Sequence, residues 1–202
     1  MIYMLRRLRG WSVLCLLMAA VSLVSGCGFF DFGSSDLQKN SAASTQLYDA
    51  AGNLLATLHA EENRVPVPLK EIPDNLKKAF IATEDSRFYD HPGIDVRGIA
   101  RAVWVNVTSG GVAEGASTIT QQLARNALLT HERTFTRKVR EIFLAFELEA
   151  KYSKNEILEM YLNQIYFGEG AYGVQAAAQV YFGKDVRELS LAECAMLAGL
   201  PQ

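Results

Sequence analysis

Residues 79 to 93 read AFIATEDSRFYDHPG, and they place two adjacent carboxylates, Glu84 and Asp85, where an amphipathic helix runs out into a loop. Arg87, Phe88, Tyr89, Asp90 and His91 follow, and then the Pro92-Gly93 turn signal. A carboxylate leaving the last turn of a half-buried helix has its backbone fixed by packing, a suitable arrangement for general acid or base chemistry. A solvated loop rim with Arg87 as charge partner would use the same residues without any chemistry. Other segments must decide between the two.

Glu114 to Gln122 (EGASTITQQ) brings small residues into a helix start that carries two threonines and paired glutamines. Free N–H groups, hydroxyls and amides there suit sugar hydroxyls or phosphate oxygens, although an ordinary capped helix start has the same composition. Gly110 and Gly111 upstream give this loop freedom to open and close over a substrate. Arg133, Arg137, Lys138 and Arg140 then lead to Glu141, and positions 134, 137, 138 and 141 share one helix face. A guanidinium, an ammonium and a carboxylate on that face could bind a pyrophosphate, with the carboxylate orienting the bases or holding a divalent cation. A surface salt-bridge ladder is the plain alternative. In Lys154 to Gly173, Ile157, Leu158, Tyr161 and Leu162 read as core. Glu159, Asn163, Tyr166 and the glycines read as an organised turn beside a cleft, and helix and turn chemistry already accounts for most of them.

These segments need a helical frame, and the apolar spacing supplies one. Leu76, Ala79, Phe80 and Thr83 follow a helical period that starts at Pro73 or Asp74. Val96, Ile99, Ala100, Val103 and Val107 repeat it in a second helix ended by Ser109-Gly110-Gly111. A third helix takes Ser117 as its cap, with Ile119, Leu123 and Ala127 on one face. A fourth runs from Thr134 to about Tyr152, with Val139, Ile142, Phe146 and Ala150 facing inward. Capping boxes stand at Ser153–Glu156, with Tyr152 and Ile157 as a hydrophobic staple, and at Ser190–Glu193. The glycine-rich passage 168–173 and an alanine-rich helix through Tyr181 lie between them. The expected fold is mainly α, an irregular helical domain with a small extended N-terminal attachment.

The 202 residues suffice for one full domain plus appendages, and a net charge of −2 argues against a nucleic-acid partner on bulk electrostatics. Cys15, Cys27 and Cys194 have neither metal-site nor disulfide-framework spacing. Arg6, Arg7 and Arg9 precede an uncharged run from Gly10 to Phe30, long enough for a bilayer core at about 20 residues per span. Residues 1–30 are therefore expected to be a transmembrane anchor. A cleaved signal or a lipoprotein-type signal with Cys27 in a lipobox (Leu23 to Cys27) competes with that reading. All three place the rest of the chain outside the cytoplasm, on the membrane face. Residues 31–46 read as a linker, 47–70 as a β-hairpin and extended segment, and 71–202 as the helical domain. Pro66 and Pro68 suit an edge strand.

Taken together and in this order, the segments resemble the glycosyltransferase domain of peptidoglycan synthases. That is glycosyltransferase family 51, found in class A penicillin-binding proteins and monofunctional transglycosylases. The matching residues are Glu84, Asp85, Phe88, His91 and Gly93; Gly115 through Gln122 with Arg125 and Asn126; and Arg137, Lys138 and Glu141. Lys154, Ile157, Leu158, Glu159, Tyr161, Leu162, Asn163 and Gly168 follow, then Ala177, Ala178, Tyr181 and Phe182. Glu114 stands where the family often has Gln, and the family domain continues for several more helices past Gln202, so the domain is expected to be incomplete at its C-terminus.

The resemblance implies a lysozyme-like α fold that polymerises lipid II into β-1,4 glycan with release of undecaprenyl pyrophosphate, on the extracytoplasmic face of a bacterial membrane. It implies that Glu84 is the general base and that Arg125, Arg137 and Lys138 offset charge on the departing pyrophosphate. Glu141 would orient them or hold Mg or Mn; no organic cofactor is implied. Asp85, Phe88, His91, Ser117, Thr118, Gln121, Gln122, Asn126 and Asn163 complete the implied substrate-binding set. Implied partners are lipid II, the nascent glycan chain, the membrane and a transpeptidase domain or partner, and no nucleic acid. A glycan-cleaving lysozyme-like enzyme is the nearest rival, but it needs an acid for a sugar leaving group rather than a basic cluster. A membrane-anchored module that binds glycan or lipid II without catalysis is the other.

Overall fold

The computed structural model describes residues 45–48, 54–58, 63–111, 115–127 and 134–201, with side chains described from Asn63 onward. These residues belong to one compact unit, Asp36–Gln202. The expected anchor at 1–30, the linker up to residue 44, the turn at 49–53, Glu114 and Arg133 lie outside them. Among the described residues no helix is long and apolar enough to cross a membrane.

β1 (Thr45–Tyr48) pairs antiparallel with β2 (Leu54–Leu58), Thr45 lying opposite Leu58. A two-residue strand, β3 (Asn63–Arg64), pairs in parallel with β4 (Ala171–Tyr172), so the segment before the helices is stitched to the glycine-rich passage. The rest is mainly helical: α1 (Asp74–Glu84), α2 (Val96–Ser109), α3 (Ile119–Ala127), α4 (Phe135–Lys151), α5 (Lys154–Gln164), α6 (Val174–Phe182) and α7 (Leu191–Ala198). The sequence sets most of these ends. Asp95 caps α2 by accepting from the Gly98 N–H, and Gly110 closes it in the left-handed region at φ 71°. Ser153 with Glu156 and Ser190 with Glu193 form the two expected capping boxes, starting α5 and α7.

The core is built around α3 and α5. α3 packs on α4 and α5, and α1 packs on α7. Phe80, Ile119, Leu123, Leu158 and Tyr161 are completely buried. The Phe80 ring meets Tyr161 and Phe167 edge-on at 6.1 and 6.0 Å, a favoured aromatic geometry.

Three expectations need correction. α3 is capped by Thr118 rather than Ser117, because the helix begins at Ile119 and the Gln121 N–H donates to the Thr118 hydroxyl; the Ser117 hydroxyl meets Lys138 Nζ at 3.1 Å. The stripe on α2 is exposed: Val96, Val103 and Val107 are more than half exposed, as is Trp104, and only Gly98 and Ala102 are buried. On α4 the buried face is Glu141, Leu144, Ala145 and Leu148, whereas Phe146 and Ala150 face outward. Both helices carry apolar residues on more than one side, so the period finds the helix but not the side that packs.

Candidate active site

α1 ends at Glu84, and Asp85 is its C-cap. The two neighbouring carboxylates then part company. Asp85 turns inward and is nearly fully buried. It accepts from His91 Nε2–H at 2.9 and 3.0 Å and from the Ile119 N–H at 3.1 Å. Its negative charge therefore sits at the N-terminus of α3, where unpaired N–H groups and the helix dipole favour an anion. Thr118 and Gln121 close a reciprocal box over the same end: Gln121 N–H donates to Thr118 Oγ1, and Thr118 N–H to Gln121 Oε1, each at 3.1 Å. The Thr118 hydroxyl in turn donates to Gly93 O at 2.6 Å, tying the helix start to the turn that ends the loop. Gly93 has φ +91°, and a Cβ there would lie 3.1 Å from Glu149 Cγ and 3.2 Å from Ala145 O, so both backbone and space require glycine.

Lys154 locks this loop from the other side. Its ammonium donates to His91 O at 2.6 Å and to Glu149 Oε1 at 2.7 Å, and it lies 4.5 Å from the centre of the Phe88 ring. Thr120 donates to the same Glu149 oxygen. At the far end of the loop, Arg87 forks onto Asp95 at 3.1 and 2.5 Å. Burial raises the Asp95 carboxyl, but the Gly98 N–H and the Arg87 guanidinium outweigh it and hold the group below its ordinary value.

Glu84 remains half-buried and faces α3 instead. Its Oε2 accepts from Gln122 Nε2 at 2.7 Å. The other end of that amide, Oε1, accepts from the Tyr161 hydroxyl at 3.2 Å. Burial pushes the Tyr161 phenol well above its ordinary range; the charges of Glu84 and Asp85 push the same way, and that of Arg125 opposes them. Arg125 follows Gln122 by one helical turn, so both share a face with Asn126. Arg125 makes no ion pair among the described residues.

The basic cluster converges as the spacing predicts, but on a buried acid. Glu141 is only 2% exposed, with Lys138 Nζ 3.0 Å from Oε2 and Arg137 Nε 3.1 Å from Oε1. That burial distinguishes it from a surface ladder, whose members stay hydrated. The Arg137 contact is an ion pair without hydrogen-bond alignment, so Arg137 Nε and Glu141 Oε1 are both buried without a hydrogen bond among the described residues. Glu141 thus holds one oxygen against each of two cations. A divalent ion there would be a third cation on one carboxylate, and no group of three or more His, Cys, Asp or Glu side chains suited to a metal occurs among the described residues. Glu141 is the one carboxylate of this cluster, so a divalent ion held there would draw its remaining ligands from substrate phosphates and water.

Ser117 through Gln122 is the common anchor. Lys138 reaches Ser117, Asp85 reaches Ile119 and Glu84 reaches Gln122. Ser117 and Gln122 are five positions apart and Ile119 to Gln122 form the first turn of α3, so the acid pair and the basic cluster both contact one helix start. Glu84, Gln122, Arg125, Asn126, Arg137 and Lys138 all keep some accessible surface around it. Phe88 is completely buried and Asp85, His91, Thr118 and Gln121 nearly so, with Asp85, Thr118 and Gln121 bonded to protein, so these five form the frame beneath. The Asn163 amide accepts from Val67 N–H at 2.8 Å and donates to Val67 O at 2.9 Å, pinning the extended segment that precedes α1. Sequence reasoning missed the tip of Tyr161, read only as core, and the part played by Glu149 in holding Lys154.

Comparison with known proteins identifies the family. The family described as Transglycosylase matches residues 51–202. Penicillin-binding protein 1A of Escherichia coli is 58% identical over 157 residues, 78% of this chain and 18% of its own length. Penicillin-binding protein 1F of Bacillus subtilis is 52% identical over 160 residues, 79% of this chain and 22% of its own length. A 2.6 Å crystal structure of penicillin-binding protein 1A from Haemophilus influenzae aligns over 78% of this chain and 14% of that one, with 30% identity and a TM-score of 0.37. The chain spans about a fifth of the length of the curated relatives it matches. On the family match over three quarters of its length, the chain belongs to the transglycosylase family, the peptidoglycan glycosyltransferase domain of class A penicillin-binding proteins.

Proposed function

We propose that this domain polymerises lipid II, joining the disaccharide units by inverting β-1,4 transfer with undecaprenyl pyrophosphate as leaving group, in a lysozyme-like helical fold. The observation that carries the reading is the shared helix start: Glu84 contacts Gln122 while Lys138, paired with Glu141, contacts Ser117. A base and a cationic anion site that contact one short segment suit a reaction in which one end of the substrate loses a proton and the other a diphosphate.

In this account Glu84 takes the proton of the acceptor 4-hydroxyl as that oxygen attacks the donor anomeric carbon. The bond to pyrophosphate breaks on the opposite face, and Arg137, Lys138 and Arg125 offset the charge that develops there. Glu141 holds Arg137 and Lys138 in place before substrate arrives, so little reorganisation is needed during the step. Glu141 would also be the residue to hold a divalent cation, which would supply further positive charge to the leaving pyrophosphate. A glycan hydrolase would use a carboxylic acid at the leaving oxygen and gains nothing from these cations.

The apolar residues displayed by α2, together with the uncharged run at residues 10–30, suit a domain resting on the membrane that holds both lipid-linked substrates. A transpeptidase domain or partner would cross-link the product; the longer relatives are named penicillin-binding proteins. The test is to incubate the protein with lipid II. Glycan polymer and undecaprenyl pyrophosphate are the expected products; muropeptides released from finished sacculi, with no polymer made, would move the assignment to the hydrolase.

A further inference from the structure

We propose that Tyr161 is a positioning residue for the Glu84 carboxylate, acting through the Gln122 side chain, and that it leaves Glu84 Oε1 as the oxygen that receives the substrate proton. The inference rests on the reading of Glu84 as the base and adds a residue and an atom to it.

The polarity of the chain of hydrogen bonds carries the argument. An ionised carboxylate only accepts, so the group 2.7 Å from Glu84 Oε2 must be the NH2 end of the Gln122 amide. The carbonyl end then faces Tyr161, whose hydroxyl must donate to it across 3.2 Å. The reversed amide would set an oxygen against the carboxylate, two acceptors in repulsive contact. A free glutamine would exchange these orientations readily. Here the carboxylate selects one of them, and the phenol, buried completely and kept protonated, donates to the carbonyl end and fixes where it sits. The Tyr161 ring is itself fixed at the edge of Phe80 in the core, so the tip cannot swing away. The result is a relay from the core to the site: ring packing fixes the phenol, the phenol fixes the amide, and the amide fixes one carboxylate oxygen.

Oε1 of Glu84 has no hydrogen-bond partner among the described residues. With Oε2 committed to Gln122, the acceptor alcohol meets Oε1. The proton moves from that alcohol to Oε1 as the alcohol oxygen bonds to the anomeric carbon, and the electron pair of the breaking bond leaves on pyrophosphate.

Tyr161→Phe removes one oxygen and keeps the ring. In the full chain we expect kcat for lipid II polymerisation to fall about fivefold, the scale of one neutral hydrogen bond, with KM unchanged. A role in packing alone would also lower stability, so the deciding readout is a double-mutant cycle. In a Gln122→Ala background, Tyr161→Phe should have no further effect on kcat, because the path between phenol and carboxylate is already cut. Separately, the Gln122 side-chain NH2 protons should exchange with solvent faster in Tyr161→Phe than in the parent, a measurement that needs no activity. Additive losses in the cycle, or unchanged exchange at Gln122, would overturn the proposal. Faster exchange in a protein that makes no glycan would uphold the relay while refuting the assigned reaction.

Discussion

Replacing Asp85 by asparagine changes one atom and should loosen the whole frame beneath the site. The aspartate only accepts, and both its partners are donors: His91 Nε2–H at 2.9 and 3.0 Å and the Ile119 N–H at 3.1 Å. An asparagine can offer its oxygen to one of them, and its NH2 must then face the other. If the amide faces Ile119, a helix N-terminal N–H loses its anion and is left against a second donor. If it faces His91, the ring must change tautomer to accept. Nδ1 would then carry the proton, and that atom is buried without a partner. Either way one buried donor is unsatisfied and a charge-assisted bond is lost, a cost of about 3 kcal/mol. For a domain of this size that lowers the thermal midpoint by about 6–12 °C. Calorimetry or circular dichroism of parent and variant, in the same detergent and buffer, reads the shift. A midpoint within about 1 °C of the parent would refute the claim that Asp85 caps α3 through a donor-only environment.

The other perturbations probe separate parts of the fold. Gly173→Ala places a Cβ 2.7 Å from the Asn163 carbonyl oxygen at φ +82°, so it should destabilise by about 2 kcal/mol or more; an unchanged urea midpoint would contradict this. Glu193 is held at about 2, well below its ordinary 4.5, chiefly by the Lys184 ammonium and then by Ser190. Its folded value is the lower one, so the stabilisation is present above about pH 4.5 and is lost as pH falls toward 2. Amide exchange in α7 should lose protection across that window, and a Lys184→Met variant should lose less; equal losses would argue against the pair.

Much of the helical framework is written locally. Ser153 with Glu156 and Ser190 with Glu193 announce their helix starts without any knowledge of the rest of the chain, because a capping box is satisfied within four residues. Arg137, Lys138 and Glu141 meet for the same reason, being one turn apart. What escaped the sequence depends on neighbours distant along it. Which side of α2 or α4 is buried is decided by what packs there, and Val103 and Phe146 satisfy the apolar period while facing outward. Thr118 rather than Ser117 is the cap, and the neighbouring serine is instead met by Lys138, 21 residues on. Tyr161 lies 39 residues from Gln122, and periodicity assigns it to the core without revealing where its hydroxyl points. A tyrosine in an otherwise aliphatic core stripe was the available signal, since a buried phenol needs a partner.

In the proposed reaction Glu84 acts as the base while Arg137 and Lys138 receive the diphosphate. Glu84→Gln preserves shape and can still bond to the Gln122 amide through its oxygen, but it cannot accept a proton from an alcohol. Polymerisation of lipid II by this variant should fall by at least ~100-fold while lipid II binding stays within about twofold of the parent. Glycan made at a rate close to that of the parent would show that the proton goes elsewhere and would contradict the account.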